Sequence, residues 1–388
     1  MLNSKFMNIL LINPWYKDIY PPPSIGYLQS SIRGYFKDEV NVVACNIDLV
    51  EHHLFNKKFD LVGVSFHSFS VKYAQHIRDK VSSDIKLICG GHHPSALPKQ
   101  LLDIGYNQVV IGEGENSIID IILGNDSKIV KLHNNYFNSI DDIPFPNYSG
   151  LGDNWSSGFP IISSRGCPFT CNFCASADFW NRKWKMREVD NVIDEILYNK
   201  KKYNMNTWMF EDDNFTLNKN RAKNICLEII RNNINLSWQC ASRAETLCDS
   251  ELCELLVKSG CKTVWLGVES LSQNSLDRCK KNTTVDKMLS GIEVAHSCGL
   301  ETMSQFIVGL PGDTIKDILE TSKNIKKSKI NRMGCNIAWV LPNTEIYNLA
   351  KKMGFNDDIY LSAGAPYYTY EQSINTLNNW TNILNNSK

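Results

Sequence analysis

SSRGCPFTCNFCAS (163–176) carries Cys167, Cys171 and Cys174 at a C-x3-C-x2-C spacing, directly after the β-like run PIISS (160–164). Spacing this tight on one loop lets three thiolates converge on a single metal centre. Structural zinc closes with four protein ligands, yet the flanking sequence offers no fourth: the next cysteine is Cys226 and the preceding histidine is His133. An open coordination position belongs to catalytic centres. Gly166 and Pro168 shape the loop, and Phe173, beside the last thiolate, is placed to shield a centre from water. The competing reading is a zinc knuckle or three chance core thiols, which the missing fourth ligand disfavours.

Strand-like and helix-like runs alternate on both sides of this loop. Before it, MNILLIN (7–13), VNVVACN (40–46), LVGVSF (61–66), KLICGG (86–91) and QVVIGEG (108–114) are rich in Val and Ile. Helical spacing fills the gaps, as in Ile25-Leu28-Ile32 and Val71-Ala74-Ile77-Val81. Apolar strands alternating with helices imply a parallel sheet covered on both faces, a doubly wound, Rossmann-like domain over residues 1–140. Its ligand edge is the carboxyl end of the strands. DDIPFPNYSG (141–150) opens a linker that runs to 158.

Beyond the loop the strand candidates are TWMFE (207–211), LSWQCA (236–241), TVWLGVE (263–269), TMSQFIVG (302–309) and CNIAWV (335–340). VDNVIDEILYNKK (189–201) and SELCELLVKSG (250–260) are helical segments between them. With PIISS they make six βα units over 159–341, too few for a closed eight-stranded barrel. The expected fold is α/β: a Rossmann-like domain, then a partial (βα)6 barrel with its site at the strand C-termini. Residues 342–388, helical and aromatic-rich, read as a small C-terminal cap.

Lys plus Arg equals Asp plus Glu, so formal net charge is zero, and no nucleic-acid partner is expected. No apolar run approaches the roughly 20 residues that span a bilayer. The N-terminal apolar stretch runs into Asn13-Pro14 and lacks a small-residue cleavage site, so it reads as a core strand. Thirteen cysteines, an odd number scattered through apolar segments such as those of Cys45, Cys89 and Cys226, fit a reducing cytoplasm.

The triad, with an aromatic residue immediately before its third cysteine and βα units after it, resembles the radical SAM superfamily. That resemblance implies a [4Fe–4S] cluster on the three cysteines, whose unique iron is chelated by S-adenosylmethionine (SAM). One electron then cleaves SAM to a 5′-deoxyadenosyl radical, and an external donor such as flavodoxin or ferredoxin supplies it. The resemblance places the SAM amino group at Asp213, with Asp212 as the alternative, in FEDDNF (210–215). Capping of a helix over Thr216–Ile230 is the competing use of these acids. Arg243 and Glu269, each at a strand end, fit the SAM carboxylate and ribose contacts, and Gly309 in GLPGDT (309–314) fits adenine. Surface ion pairs and a plain turn are the alternatives.

NPWYKDIYPPPSIGYL (13–28), CGGHHPSALP (89–98), VVIGEGE (109–115) and DDIPFPNY (141–148) extend the resemblance to cobalamin-binding radical SAM enzymes. Gly90, Gly91 and Gly112 are expected to leave room for a flat corrin, with His92 and Glu113 beside them. The Asp-x-His-x-x-Gly motif, whose His binds cobalt in many cobalamin domains, does not occur here; the resemblance implies as much, since radical SAM relatives commonly lack it and leave cobalt without a His ligand. The resemblance implies a methyltransferase that moves a methyl group from SAM through cobalamin to an unactivated carbon of a small-molecule or peptide substrate. Cyclisation or rearrangement on the same scaffold is the first alternative. A methylthiotransferase ranks below it, because only Cys45 and Cys89 occur in the N-terminal domain. A non-catalytic cofactor sensor is the last.

Overall fold

The computed structural model describes residues 6–15, 21–152 and 158–388. It divides into two compact units, residues 1–157 with 356–366, and residues 158–355 with 367–388.

The first unit is built on strands β1 (Met7–Asn13), β2 (Val40–Asn46), β3 (Leu61–Ser65), β4 (Lys86–Gly90), β5 (Gln108–Ile111) and β6 (Ile129–Lys131), in the order β2-β1-β3-β4-β5-β6. All neighbours are parallel. Ile9, Leu10, Leu11 and Ile12 are all buried, so β1 is covered on both faces, which is why it reads as an unbroken apolar run. The sixth strand escapes sequence reading because it is three residues long, with only Val130 buried. Chain order reverses between β1 and β3, which fixes the crevice where doubly wound sheets bind ligands.

The helix Pro23–Phe36 starts on proline, whose fixed φ suits a first turn. The PFPNY segment lies along it. Gln29 Nε2 donates to the carbonyls of Asn147 (3.0 Å) and Ser149 (3.2 Å), and Ser30 Oγ donates to that of Phe145 (2.6 Å). A Cβ on Gly26 would fall 2.5 Å from the Tyr148 ring, so the helix must be bare there for the segment to pack. Part of the motif 13–28, and the end of the linker at 153–157, lie outside the described residues.

The second unit holds β7 (Phe159–Ile161), an antiparallel ribbon of β8 (Ser164–Arg165) with β9 (Lys185–Met186), and β10 (Thr207–Phe210), β11 (Ser237–Arg243), β12 (Cys261–Glu269), β13 (Glu301–Val308) and β14 (Arg332–Ile337). Its main sheet is parallel throughout, in the order β14-β13-β12-β11-β10-β7. This is the open six-stranded partial barrel. Burial alternates along it: Trp208, Phe210, Trp238, Cys240, Val264, Leu266 and Phe306 are fully buried on one face. Met209, Gln239, Trp265 and Gln305 are half-buried on the other. Trp208 stacks on Trp238 with centroids 6.1 Å apart and planes 9° from parallel.

Several boundaries depart from the sequence reading, and three of them bear on the site. PIISS ends as a sheet strand at Ile161, and Ser164–Arg165 turns into the ribbon. The last strand begins at Arg332, because its RMG start has no apolar run to betray it. The helix expected over Thr216–Ile230 runs Lys219–Arg231 and is capped by Asn218, whose side chain accepts from Arg221 N at 3.0 Å. The acids of FEDDNF therefore do not cap it. Among the described residues no helix is long and apolar enough to cross a membrane.

Candidate active site

The cysteine loop leaves the sheet through a buried polar anchor. Asp212 accepts from Ser163 N (2.7 Å), Ser163 Oγ (2.6 Å) and Ser164 Oγ (2.5 Å). Behind them Arg221 donates to Ser163 O (2.8 Å) and Arg187 O (2.8 Å), while Arg187 pairs with buried Glu195 at 2.5 Å. Burial raises the Asp212 carboxyl above its ordinary range, against the lowering by the serine donors and Arg221. With three protein donors already on it, Asp212 orients the loop.

Gly166 is the pivot. Its φ is +87°, and a Cβ there would stand 2.1 Å from Lys183 O, so no other residue fits without displacing the 180–183 turn. Its N–H donates to Asp213 Oδ2 at 3.1 Å, which sets that exposed carboxylate beside the thiols. Cys167, Cys171 and Cys174 are all half-buried on the loop that follows. Burial pushes the Cys174 thiol up to about 12, with Asp213, Cys171 and Cys167 adding to the rise. Burial likewise raises Cys167, with Asp213 and Cys171 contributing. The thiols thus sit close enough to feel one another.

The far side of the loop is clamped by Asn172 and Lys281, which sequence reading missed, together with Arg243 and Glu269, which it singled out. Asn172 N and Nδ2 donate to the carbonyls of Cys279 (3.1 Å) and Arg278 (3.0 Å), and its own carbonyl accepts from Glu345 N (3.1 Å). Arg243 lies 3.9 Å over the Phe169 ring and bonds Glu245 and the Lys281 carbonyl. Lys281 Nζ, itself buried, pairs with Glu269 Oε1 at 2.9 Å. Burial pulls the Lys281 ammonium down, but Glu269 and Cys171 outweigh it and hold the group above its ordinary value. Glu269 ends β12 at φ +65°, a left-handed conformation that costs a side-chain-bearing residue about 1–3 kcal/mol. Lys281 gave no sequence signal, because one lysine in RCKKNTT looks like any surface basic cluster. Cys279 Sγ donates to Leu276 O at 3.4 Å, and burial, then the charges of Glu269 and Cys171, push its thiol up to about 12.

Glu211, passed over in sequence, follows β10 on the same face as half-buried Met209. Burial and then the Asp212 charge push its carboxyl up to about 7. On that face Trp265 Nε1 donates to Gln239 Oε1 at 2.8 Å. Phe173 is half-buried. Gly309 has a protein neighbour instead of open space, since a Cβ there would meet Leu377 at 2.5 Å. The GLPGDT turn is held by Asp313, which accepts from Ser275 Oγ (2.7 Å) and Leu310 N (3.0 Å).

In the first unit, Gly91 (φ +98°) packs on the Phe66 carbonyl, where a Cβ would come within 2.4 Å, and Gly90 packs on Val110. An added Cβ at Gly112 would meet nothing within 4 Å. Ser95 joins the two loops, donating to Gly91 O (2.7 Å) and accepting from Gly112 N (3.0 Å). Glu113 stands at the N-cap position of the helix Gly114–Ile122, and His92, exposed, opens the short helix His92–Ala96. His93 is fully buried between Ser68 Oγ (3.1 Å) and Gln100 Oε1 (2.9 Å).

Three thiols on the loop after the first strand of an open parallel βα barrel are the mark of a radical SAM enzyme, and the radical SAM superfamily matches residues 161–325. The B12 binding domain matches residues 16–122. The chain thus carries a B12 binding domain followed by a radical SAM domain, which assigns it cobalamin, a [4Fe–4S] cluster and SAM as cofactors. It is 28% identical to an uncharacterized methyltransferase of Pyrococcus horikoshii, over 89% of this chain and 83% of that one. It is 27% identical to the anaerobic magnesium-protoporphyrin IX monomethyl ester cyclase of Rubrivivax gelatinosus, over 82% of this chain and 65% of that one. In fold it is similar to the radical SAM methyltransferase TsrM of Kitasatospora setae, with a TM-score of 0.73 at 17% identity over 88% of this chain and 74% of that one.

Proposed function

We propose that the protein is a methyltransferase that uses one SAM as methyl source through cobalamin and a second as radical source at the cysteine triad. Cluster and cobalamin supply the electron transfer and methyl carriage; the chain supplies position and charge. Cys167, Cys171 and Cys174 would hold the cluster as thiolates, leaving one iron for SAM. Asp213 is the carboxylate for the SAM ammonium: it is fixed by Gly166 N and faces anionic sulfur, so a cation between them relieves the repulsion. Lys281, held by Glu269 and within reach of the Cys171 charge, is the cation for the SAM carboxylate. Phe173 and Phe169 would keep water from the cluster edge. The half-buried inner face around Met209, Gln239, Trp265 and Gln305 would receive the substrate.

The loop anchored by Asp212 and Asn172, with three thiols close enough to feel one another and Asp213 beside them, carries this reading. Methyl transfer is favoured by the methyltransferase that aligns with most of this chain at 28% identity. Cyclisation is the second reading, favoured by the cyclase that aligns at 27%. Both are tested by supplying reconstituted, cobalamin-loaded protein with reductant and SAM bearing a CD3 group. Methyl transfer predicts S-adenosylhomocysteine together with 5′-deoxyadenosine. Deoxyadenosine alone would favour cyclisation or rearrangement.

A further inference from the structure

The inner face of the second sheet carries a carboxyl group that the proposed chemistry has not used. Phe210 of β10 pairs with Cys240 of β11, so the residues that follow, Glu211 and Ala241, stand side by side. Ala241 in turn pairs with Trp265 of β12. Glu211, Ala241 and Trp265 thus form one row across three strands, all half-buried on the same face. Strands lie about 4.8 Å apart, so the two large side chains rise about 10 Å apart with only a methyl group between them. The row sits towards the carboxyl ends of the strands, where βα barrels place their sites. Both walls of the gap are fixed. Glu211 N donates to Ile161 O at 2.9 Å, which continues the ladder with β7 and sets the direction of the side chain. Trp265 Nε1 donates to Gln239 Oε1 at 2.8 Å, which leans the indole from β12 towards β11.

Charge decides what such a gap admits. Among the described residues no side chain hydrogen-bonds to the Glu211 carboxyl, and what acts on it is burial and then the charge of Asp212, which raise it to about 7. Exposed Asp213 adds a further acid to the same strand end. A positive charge beside Glu211 relieves both burial and repulsion, whereas a neutral donor relieves only the lost hydration. The face of an indole attracts cations too, through the negative side of its ring quadrupole. An anion would need a cation, and those around this face are engaged: Arg243 with Glu245, Lys281 with Glu269, and Arg332 with Glu301. Hydrogen-atom abstraction followed by capture of a methyl group moves no proton, so the carboxyl is not required as an acid or base.

We propose that Glu211 and Trp265 form the subsite for a substrate ammonium group, so that the methyl acceptor is an organic amine, cationic at neutral pH. The subsite rests on the reading of this inner face as the place where a methyltransferase receives its substrate.

Calorimetry on the reconstituted, cofactor-loaded full chain tests it without turnover, using probes of one shape: phenethylammonium, phenethyl alcohol and phenylacetate. Phenethylammonium is expected to bind at least about tenfold more tightly than the alcohol, and phenylacetate more weakly than either. Glu211→Gln, which keeps the shape, should erase the preference for the cation over the alcohol. Trp265→Leu should weaken the cation about tenfold and leave the alcohol within about threefold. Circular dichroism shows whether each variant is folded, and the ranking of probes on the wild type decides the matter even where one is not. Equal binding of the three probes, binding of none, tighter binding of phenylacetate, or a cation preference that survives Glu211→Gln would each overturn the subsite. A cation preference in a preparation that makes no S-adenosylhomocysteine from SAM and reductant would instead overturn the methyltransferase reading and leave the ammonium subsite standing.

Discussion

Asp212 and Asp213 are adjacent in sequence and do different work. Asp212 is buried with two serine hydroxyls and a backbone N–H aimed at it, so Asp212→Ala strands three donors. That should cost about 3 kcal/mol, read as a lower urea midpoint, and iron content should fall as the loop loosens. Asp213 is exposed, so Asp213→Ala should move the midpoint by less than about 0.5 kcal/mol while weakening SAM binding in calorimetry. Equal stability losses in the two variants would contradict this division. Lys281 and Glu269 form a buried pair, and Lys281→Met should cost about 3–5 kcal/mol by leaving a carboxylate unpaired. Adding Glu269→Gln should recover much of that loss; a double variant as unstable as the sum of the two singles would show no coupling. The cysteines and acids were legible in sequence because spacing and strand position single them out. Lys281, Arg243's Phe169 partner and Asn172 were not, since each acts through a contact made only when distant segments fold together.

At the scale of elements, the cysteine loop is a short ribbon and turn held at both ends. Gly166→Ala would force a Cβ against Lys183 O, so the variant should retain its helices by circular dichroism but bind little iron. Full iron loading would mean the turn tolerates a side chain. The helix Lys219–Arg231 relies on Asn218, and Asn218→Ala should cost about 1 kcal/mol in thermal or urea unfolding. That cap was misplaced by sequence reading because Thr216 looked like a helix start; in the fold Thr216 bonds Ser242 and Thr246 within buried strand-end polar contacts. Long apolar strands such as β1 and β2 were read to the residue. The edge strand β6 and the polar start of β14 were not, because edge strands bury too little to leave a pattern.

At the scale of the whole molecule, pH should act on the first unit through its buried imidazoles. Burial lowers His93 to about 4 from 6.5, outweighing the raising effects of Gln100 and Asp357. The unfolded chain therefore binds a proton that the folded one refuses. His93 leaves stability undiminished above pH 6.5 and costs progressively more as pH falls towards 4, reaching about 3 kcal/mol. His93→Gln should flatten the slope of urea stability between those values; an unchanged slope would assign the acid sensitivity elsewhere. The order of domains was readable because doubly wound and partial-barrel sheets both announce themselves as alternating βα units. What the active site acts on was not, since the half-buried inner positions proposed to meet the substrate, such as Gln239 and Gln305, carry no motif. The central claim is that the triad carries a cluster that cleaves SAM. Anaerobic reconstitution of the full chain with iron and sulfide, followed by reductant and SAM, measures this most directly. The account predicts 5′-deoxyadenosine from the wild type and only background from Cys167→Ala. SAM left intact by the reconstituted wild type, or cleaved equally by the variant, would contradict it.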